Sequence, residues 1–183
     1  ACQLQQVLPD LLDEIPAGVR DLSFTLPYND LEAARAALGE DTACVILEPS
    51  TLEAPRPGYL EGLRRACDET GALLVFDEMW TGFRLAVGGA QQRFGVRADL
   101  ACFSKAVSNG MPLGVLTGRR DVMALLEKDV FFFTTFGGEA LSLAAARATL
   151  DVMRRENVPA RLEVRGLQLQ DGLQALARRL DLS

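Results

Sequence analysis

The chain has 183 residues, 49% of them apolar and 24% charged, and a formal net charge of −6. That is enough for one globular domain and too apolar for a disordered one. The negative balance argues against nucleic acid or an anionic membrane surface as partner. The absence of histidine removes Ser-His and Cys-His catalysis and the commonest metal ligand.

No apolar run approaches the roughly 20 residues of a bilayer-crossing helix. The opening residues, Ala1 to Gln6, lack the basic segment and hydrophobic stretch of a secretion signal, so the cytoplasm is the expected compartment. The four cysteines, Cys2, Cys44, Cys67 and Cys102, show no C-x-x-C spacing. They are expected to be reduced, buried thiols.

In chain order, Gln3 to Arg20 is mixed and has room for one short helix. Asn29, with Glu32 three residues on, is expected to cap a helix carrying Leu31, Ala34 and Leu38 on one face. Ala43 to Leu47 reads as a strand ending at Glu48-Pro49, where Glu48 is expected to be structural. Pro57-Gly58 opens a helix from Tyr59 to Thr70, striped by Leu60, Leu63 and Cys67, which stops at Gly71. Two short unbroken apolar runs then end in charge: Gly71-Ala-Leu-Leu-Val-Phe-Asp77 and Leu100-Ala-Cys-Phe-Ser-Lys105. Such runs read as strands buried on both faces. A further run spans Pro112 to Thr117. Phe131 to Gly138 leads into a helix from about Glu139 to Arg155, and Pro159 to Leu180 reads as an amphipathic helix with Leu162, Leu169, Leu173 and Leu176 on its apolar side. The alternation predicts an α/β fold, a mostly parallel sheet with flanking helices.

Asp77 and Lys105 would both stand at the carboxyl ends of parallel strands, the edge where open α/β sheets bind ligands. A carboxylate and an amine there suit pyridoxal 5'-phosphate. Its pyridine nitrogen must stay protonated, and its aldehyde needs a lysine for a Schiff base. On spacing alone a plainer reading stays open, with Asp77 and Glu78 capping a neighbouring helix and Lys105 a solvated strand end. A nucleotide site has no support, because no G-x-G-x-x-G or G-K-[ST] motif follows a strand.

The stretch Asp77-Glu78-Met79-Trp80-Thr81-Gly82-Phe83-Arg84 resembles the motif following the cofactor aspartate in class III aminotransferases, the glutamate-1-semialdehyde aminomutase branch being nearest. Ala98 to Gly114, centred on Ser104-Lys105, resembles that family's lysine segment. The resemblance covers about Ile46 to Met153. It implies the large domain of a fold-type I pyridoxal-phosphate transferase, with Asp77 on the pyridine nitrogen and Lys105 as the internal aldimine. Thr134-Thr135-Phe136-Gly137-Gly138 offers a hydroxyl and backbone N–H groups at a helix start, suited to an anion. In the similar family this segment holds the phosphate of the partner subunit's cofactor. Thr135 aligns best, which implies a homodimer; a helix cap with turn glycines is the alternative. Trp80 stands where many members carry a glutamine that reaches the cofactor's ring hydroxyl, and reads as a cofactor contact, a substrate wall or packing. Arg84 is expected to pair with Glu78 rather than hold a carboxylate.

The family's upstream phosphate loop, ring-stacking aromatic residue and small C-terminal domain have no counterpart here, and the chain starts without methionine. The expectation is truncation at both ends, with residues 1–157 forming a partial cofactor-binding domain and 158–183 a helix leading toward the small domain. The implied function is amino-group transfer or migration on a small amino or keto substrate. The alternative is a catalytically incomplete chain serving as a structural or interaction module.

Overall fold

The structure, a computed structural model, describes residues 16–182. Helices α1 (Ala17–Arg20), α2 (Leu31–Ala37), α3 (Tyr59–Thr70), α4 (Gly89–Phe94), α5 (Arg120–Met123), α6 (Ala140–Glu156) and α7 (Val158–Arg179) surround strands β1 (Cys44–Leu47), β2 (Leu73–Asp77), β3 (Leu100–Phe103) and β4 (Val115–Gly118). The strands lie side by side in chain order. The β1–β2 and β2–β3 pairings are parallel and β3–β4 is antiparallel. This is the expected mostly parallel sheet, with its last strand reversed. Most of the N-terminal region with room for a short helix lies outside the described residues. Among the described residues no helix is long and apolar enough to cross a membrane.

The core forms where the stripe of α3 meets the sheet. Leu60, Leu63 and Cys67 pack with Val45, Leu74, Phe76 and Ala101, and Ala34 of α2 closes the cluster. α3 ends as its glycine predicts: Gly71 has φ 81° and donates its N–H to the Cys67 carbonyl. Three expectations need correction. Asp30, not Asn29, caps α2, accepting from the Ala33 N–H at 2.9 Å. Asn29 instead takes φ 65° and ties the Glu53–Arg56 segment through its amide. Burial on both faces holds for the middle of β2 but not for β3, where only Ala101 is buried; on β1, Cys44 and Ile46 are exposed. The packed helices cover the Val45 face and leave the alternate face of this outer strand open. Cys44 is therefore an exposed thiol, Cys102 is half-buried and Cys67 fully buried. Burial pushes the Cys67 thiol up to about 11. Cys2 lies outside the described residues. Helix α7 forms as expected, yet Leu162, Leu169, Leu173 and Leu176 remain exposed.

At the opposite edge of the sheet from Asp77, buried Asp99 joins three elements. Its carboxylate accepts from the Leu74 N–H at 2.8 Å, Arg64 Nη1 at 2.6 Å and Arg119 Nη1 at 3.0 Å. Burial by itself would raise its pKa; the amide and the two guanidiniums outweigh that and hold it below its ordinary value. A carboxyl depressed in the folded state adds stability that is complete above its unfolded pKa of about 3.9 and fades as pH falls through the folded value. Asp99→Asn is therefore expected to flatten the acid limb of the stability curve, by up to about 1.4 kcal/mol per pH unit. Urea melts taken below pH ~4 test this, and an unchanged slope would assign the titration elsewhere.

Candidate functional site

Asp77 closes β2 and stands opposite Cys102 in the ladder with β3. Because the two strands are parallel, both chains leave the sheet at the same edge. β3 stops at Phe103, and Lys105 opens a short 3₁₀ turn, Lys105–Val107. Lys105 thus lies two residues beyond the strand rather than at its end. Its φ of 45° is the left-handed region that non-glycine residues rarely adopt and that clusters at functional sites. The surrounding loop holds it there. The Lys105 carbonyl accepts from the Asn109 N–H at 3.1 Å, and the Ser104 hydroxyl donates to the Leu113 carbonyl at 2.8 Å. Asn109 and Gly110 complete the turn with φ 46° and 114°, and this Asn-Gly pair is the sequence signal that could have disclosed it.

Asp77 is half-buried, and its Oδ1 accepts from the Met79 N–H at 2.9 Å. Its charge reaches the neighbouring strand: the Cys102 thiol is raised first by burial and then by Asp77. Trp80 is 60% exposed. Its ring lies 4.9 Å from Lys105 Nζ and 5.9 Å from Arg84 Cζ, both within cation–π range. A cleft of about 770 Å³ opens beside them, lined by Phe83, Arg84 and Lys105 on one side and by Thr149 and Val152 of α6 and Leu162 of α7 on the other.

The expected Arg84–Glu78 pair is absent. Glu78 is fully buried and turned inward. Its Oε2 accepts from the Ala90 N–H at 2.6 Å and the Thr81 hydroxyl at 3.1 Å, and its Oε1 from Gln91 Nε2 at 3.3 Å. The capping alternative therefore holds for Glu78, which binds the first turn of α4. Thr135 is not brought to Lys105. It sits in an exposed segment before α6 and does not line the cleft. Glu139 supplies the cap of α6, accepting from the Leu141 N–H at 2.9 Å and from the Ser142 N–H. Asp77, Trp80 and Lys105 are gathered at one edge; Thr135 stands apart.

The sequence profile of the family described as Aminotransferase class-III matches residues 6–182. The chain belongs to that family. This class-III aminotransferase chain is 44% identical over 172 residues to the glutamate-1-semialdehyde 2,1-aminomutase of Syntrophobacter fumaroxidans, a match covering 89% of the chain and 40% of the relative. Among solved structures it resembles the FumI protein of Sphingopyxis sp. MTA144 in its PLP internal aldimine form, with 31% identity and a TM-score of 0.85 over 90% of this chain and 42% of that one. The ornithine aminotransferase of Toxoplasma gondii is similar at 32% identity and a TM-score of 0.75, over 84% of this chain and 38% of that one. The class-III chain spans about two-fifths of the length of these relatives.

Proposed function

We propose that this chain carries the pyridoxal phosphate centre of an enzyme that moves an amino group, either between two small molecules or within one. The arrival of Asp77 and Lys105 at one edge of adjacent parallel strands carries the reading. The residues fit the group by their chemistry: a carboxylate for a pyridinium nitrogen, a primary amine exposed to the cleft for an aldehyde, and the flat face of Trp80 beside that amine. When bound, pyridoxal phosphate supplies a sink for the electrons of the substrate's broken C–H bond. Asp77 holds the proton on the ring nitrogen. Lys105 would hold the cofactor through Nζ, and the same amine, when free, would move a proton at the substrate carbon.

The similarity to an aminomutase favours a small amino-aldehyde or a keto sugar as substrate. Thr135 is assigned to the phosphate of a second copy's cofactor, in a homodimer. Its own segment supports this, because Phe131, Phe132, Phe133 and Phe136 are 67–94% exposed around it and form an apolar surface fit to be covered. The test is borohydride reduction of the cofactor-loaded protein followed by peptide mapping. The label is expected on Lys105, and a label elsewhere defeats the assignment. One observation favours a second reading, a structural or interaction module on the same fold: Asp77 does not line the Lys105 cleft. A protein that stays colourless with pyridoxal phosphate would support that reading.

A further inference from the structure

A second cavity, of about 760 Å³, opens where the Asp99 cluster meets the end of β4. That volume suits a small-molecule ligand. Its lining holds four guanidiniums, of Arg64, Arg97, Arg119 and Arg120, against two carboxylates, of Asp68 and Asp99. The carboxylates are already occupied. Asp99 takes Arg64, Arg119 and the Leu74 N–H, and Asp68 takes Arg64 Nη2 at 2.8 Å. Asp121, just outside the lining, takes Arg119 Nη2 at 2.6 Å. Arg64 and Arg119 are thus neutralised and held in place, which leaves Arg97 and Arg120. Both are exposed, and no ion pair among the described residues includes either.

The β3–β4 register accounts for their meeting. Leu100 stands opposite Gly118, and the Arg119 N–H donates to the Asp99 carbonyl at 2.8 Å, which carries the ladder one step further. The antiparallel segments bearing Arg97 and Arg120 leave it side by side. Thr117 adds a hydroxyl to the same lining. Two free guanidiniums match a dianion with several acceptor oxygens; a lone carboxylate would leave one of them unpaired. A phosphate monoester carries a charge of about −1.5 to −2 at neutral pH and three such oxygens, and guanidiniums bind it in a two-pronged way.

We propose that this cavity is a binding site for a small organic phosphate, its dianion held between Arg97 and Arg120 and its body against Ala98 and Leu100. The site shares no lining residue with the Lys105 cleft and stands whether or not that cleft transfers amino groups.

The test titrates glycerol 3-phosphate into the full chain by calorimetry, with glycerol and glutarate as neutral and carboxylate comparators. Glycerol 3-phosphate is expected to bind saturably and to weaken as salt is added, glycerol not to bind, and glutarate to bind more weakly. Trp80, the single tryptophan of the chain, lies 4.9 Å from Lys105 Nζ, so its emission reports the other cleft and is expected to stay constant. Arg97→Gln and Arg120→Gln are each expected to weaken glycerol 3-phosphate about tenfold or more, through loss of charge-assisted hydrogen bonds. Their urea midpoints should match wild type, because neither arginine joins the Asp99 network. Wild-type affinity in the double variant Arg97→Gln/Arg120→Gln overturns the proposal, as does the absence of saturable binding in the millimolar range. A Trp80 emission change that tracks the heat also overturns it, by placing the phosphate beside Lys105. So does glutarate affinity equal to that of glycerol 3-phosphate, which would leave only an unselective anion patch.

Discussion

Asp77→Asn is expected to slow amino transfer by about a thousandfold while leaving pyridoxal phosphate attached to Lys105. The substitution separates charge from shape. An asparagine oxygen can still accept the Met79 N–H that Asp77 accepts at 2.9 Å, so the exit from β2 keeps its turn and the variant folds. On the proposed reading, what disappears is the negative charge that would keep the ring nitrogen protonated, and with it most of the ring's capacity to draw in electrons. The Lys105 amine is untouched. The expected pattern is thus a coloured, borohydride-reducible protein with a turnover number lowered far more than its affinity for the cofactor. Equal turnover in the two proteins would remove Asp77 from the chemistry. Loss of colour together with activity would make it a binding residue only.

The second large effect concerns the glycines that bracket α4. Gly89 and Gly95 have nearly the same backbone, with φ 67° and 70°, so alanine meets the same left-handed penalty of about 1–2 kcal/mol at each. Their surroundings differ. A Cβ at Gly95 would meet nothing within 4 Å, whereas one at Gly89 would stand 2.8 Å from both Cδ and Oε1 of Glu78 and closer still to Oε2. Glu78 cannot step aside, because its carboxylate holds the Ala90 N–H and the Thr81 hydroxyl in a fully buried site. Moving it leaves buried donors without acceptors. Gly89→Ala is expected to cost about 3 kcal/mol or more in all, and Gly95→Ala only its backbone share. Urea midpoints of the two variants measure the difference. Equal losses would show that the Glu78 side chain has somewhere to go.

The strands and the edge they share were legible because unbroken apolar runs ended in single charges. That pattern placed Asp77 correctly and missed the end of β3 by two residues, since Ser104 and Lys105 leave the sheet through a turn set by Asn109 and Gly110. The direction of β4 could not be read from its apolar run, because side-chain period is the same in either sense. The link of residues 104–114 is short for a crossover, and only that length hinted at reversal. The expected Arg84–Glu78 pair failed because opposite charge in sequence says nothing of direction. Glu78 donates its own N–H to the Cys102 carbonyl at 2.9 Å, extending the ladder by one residue and turning its side chain to the interior. Thr135 could be proposed from a local anion-binding pattern, but no pattern within one chain says which copy's site it serves.

The neighbouring carboxylates at the end of β2 have opposite fates, Asp77 half-buried at the working edge and Glu78 wholly inside. Successive residues of a strand face opposite sides, so a one-residue slip exchanges the two faces. A single deletion or insertion within Leu73–Phe76 would send the longer acid outward and leave the shorter one beneath α4. The length of this strand is therefore coupled to which of the two acids reaches the edge that carries Lys105.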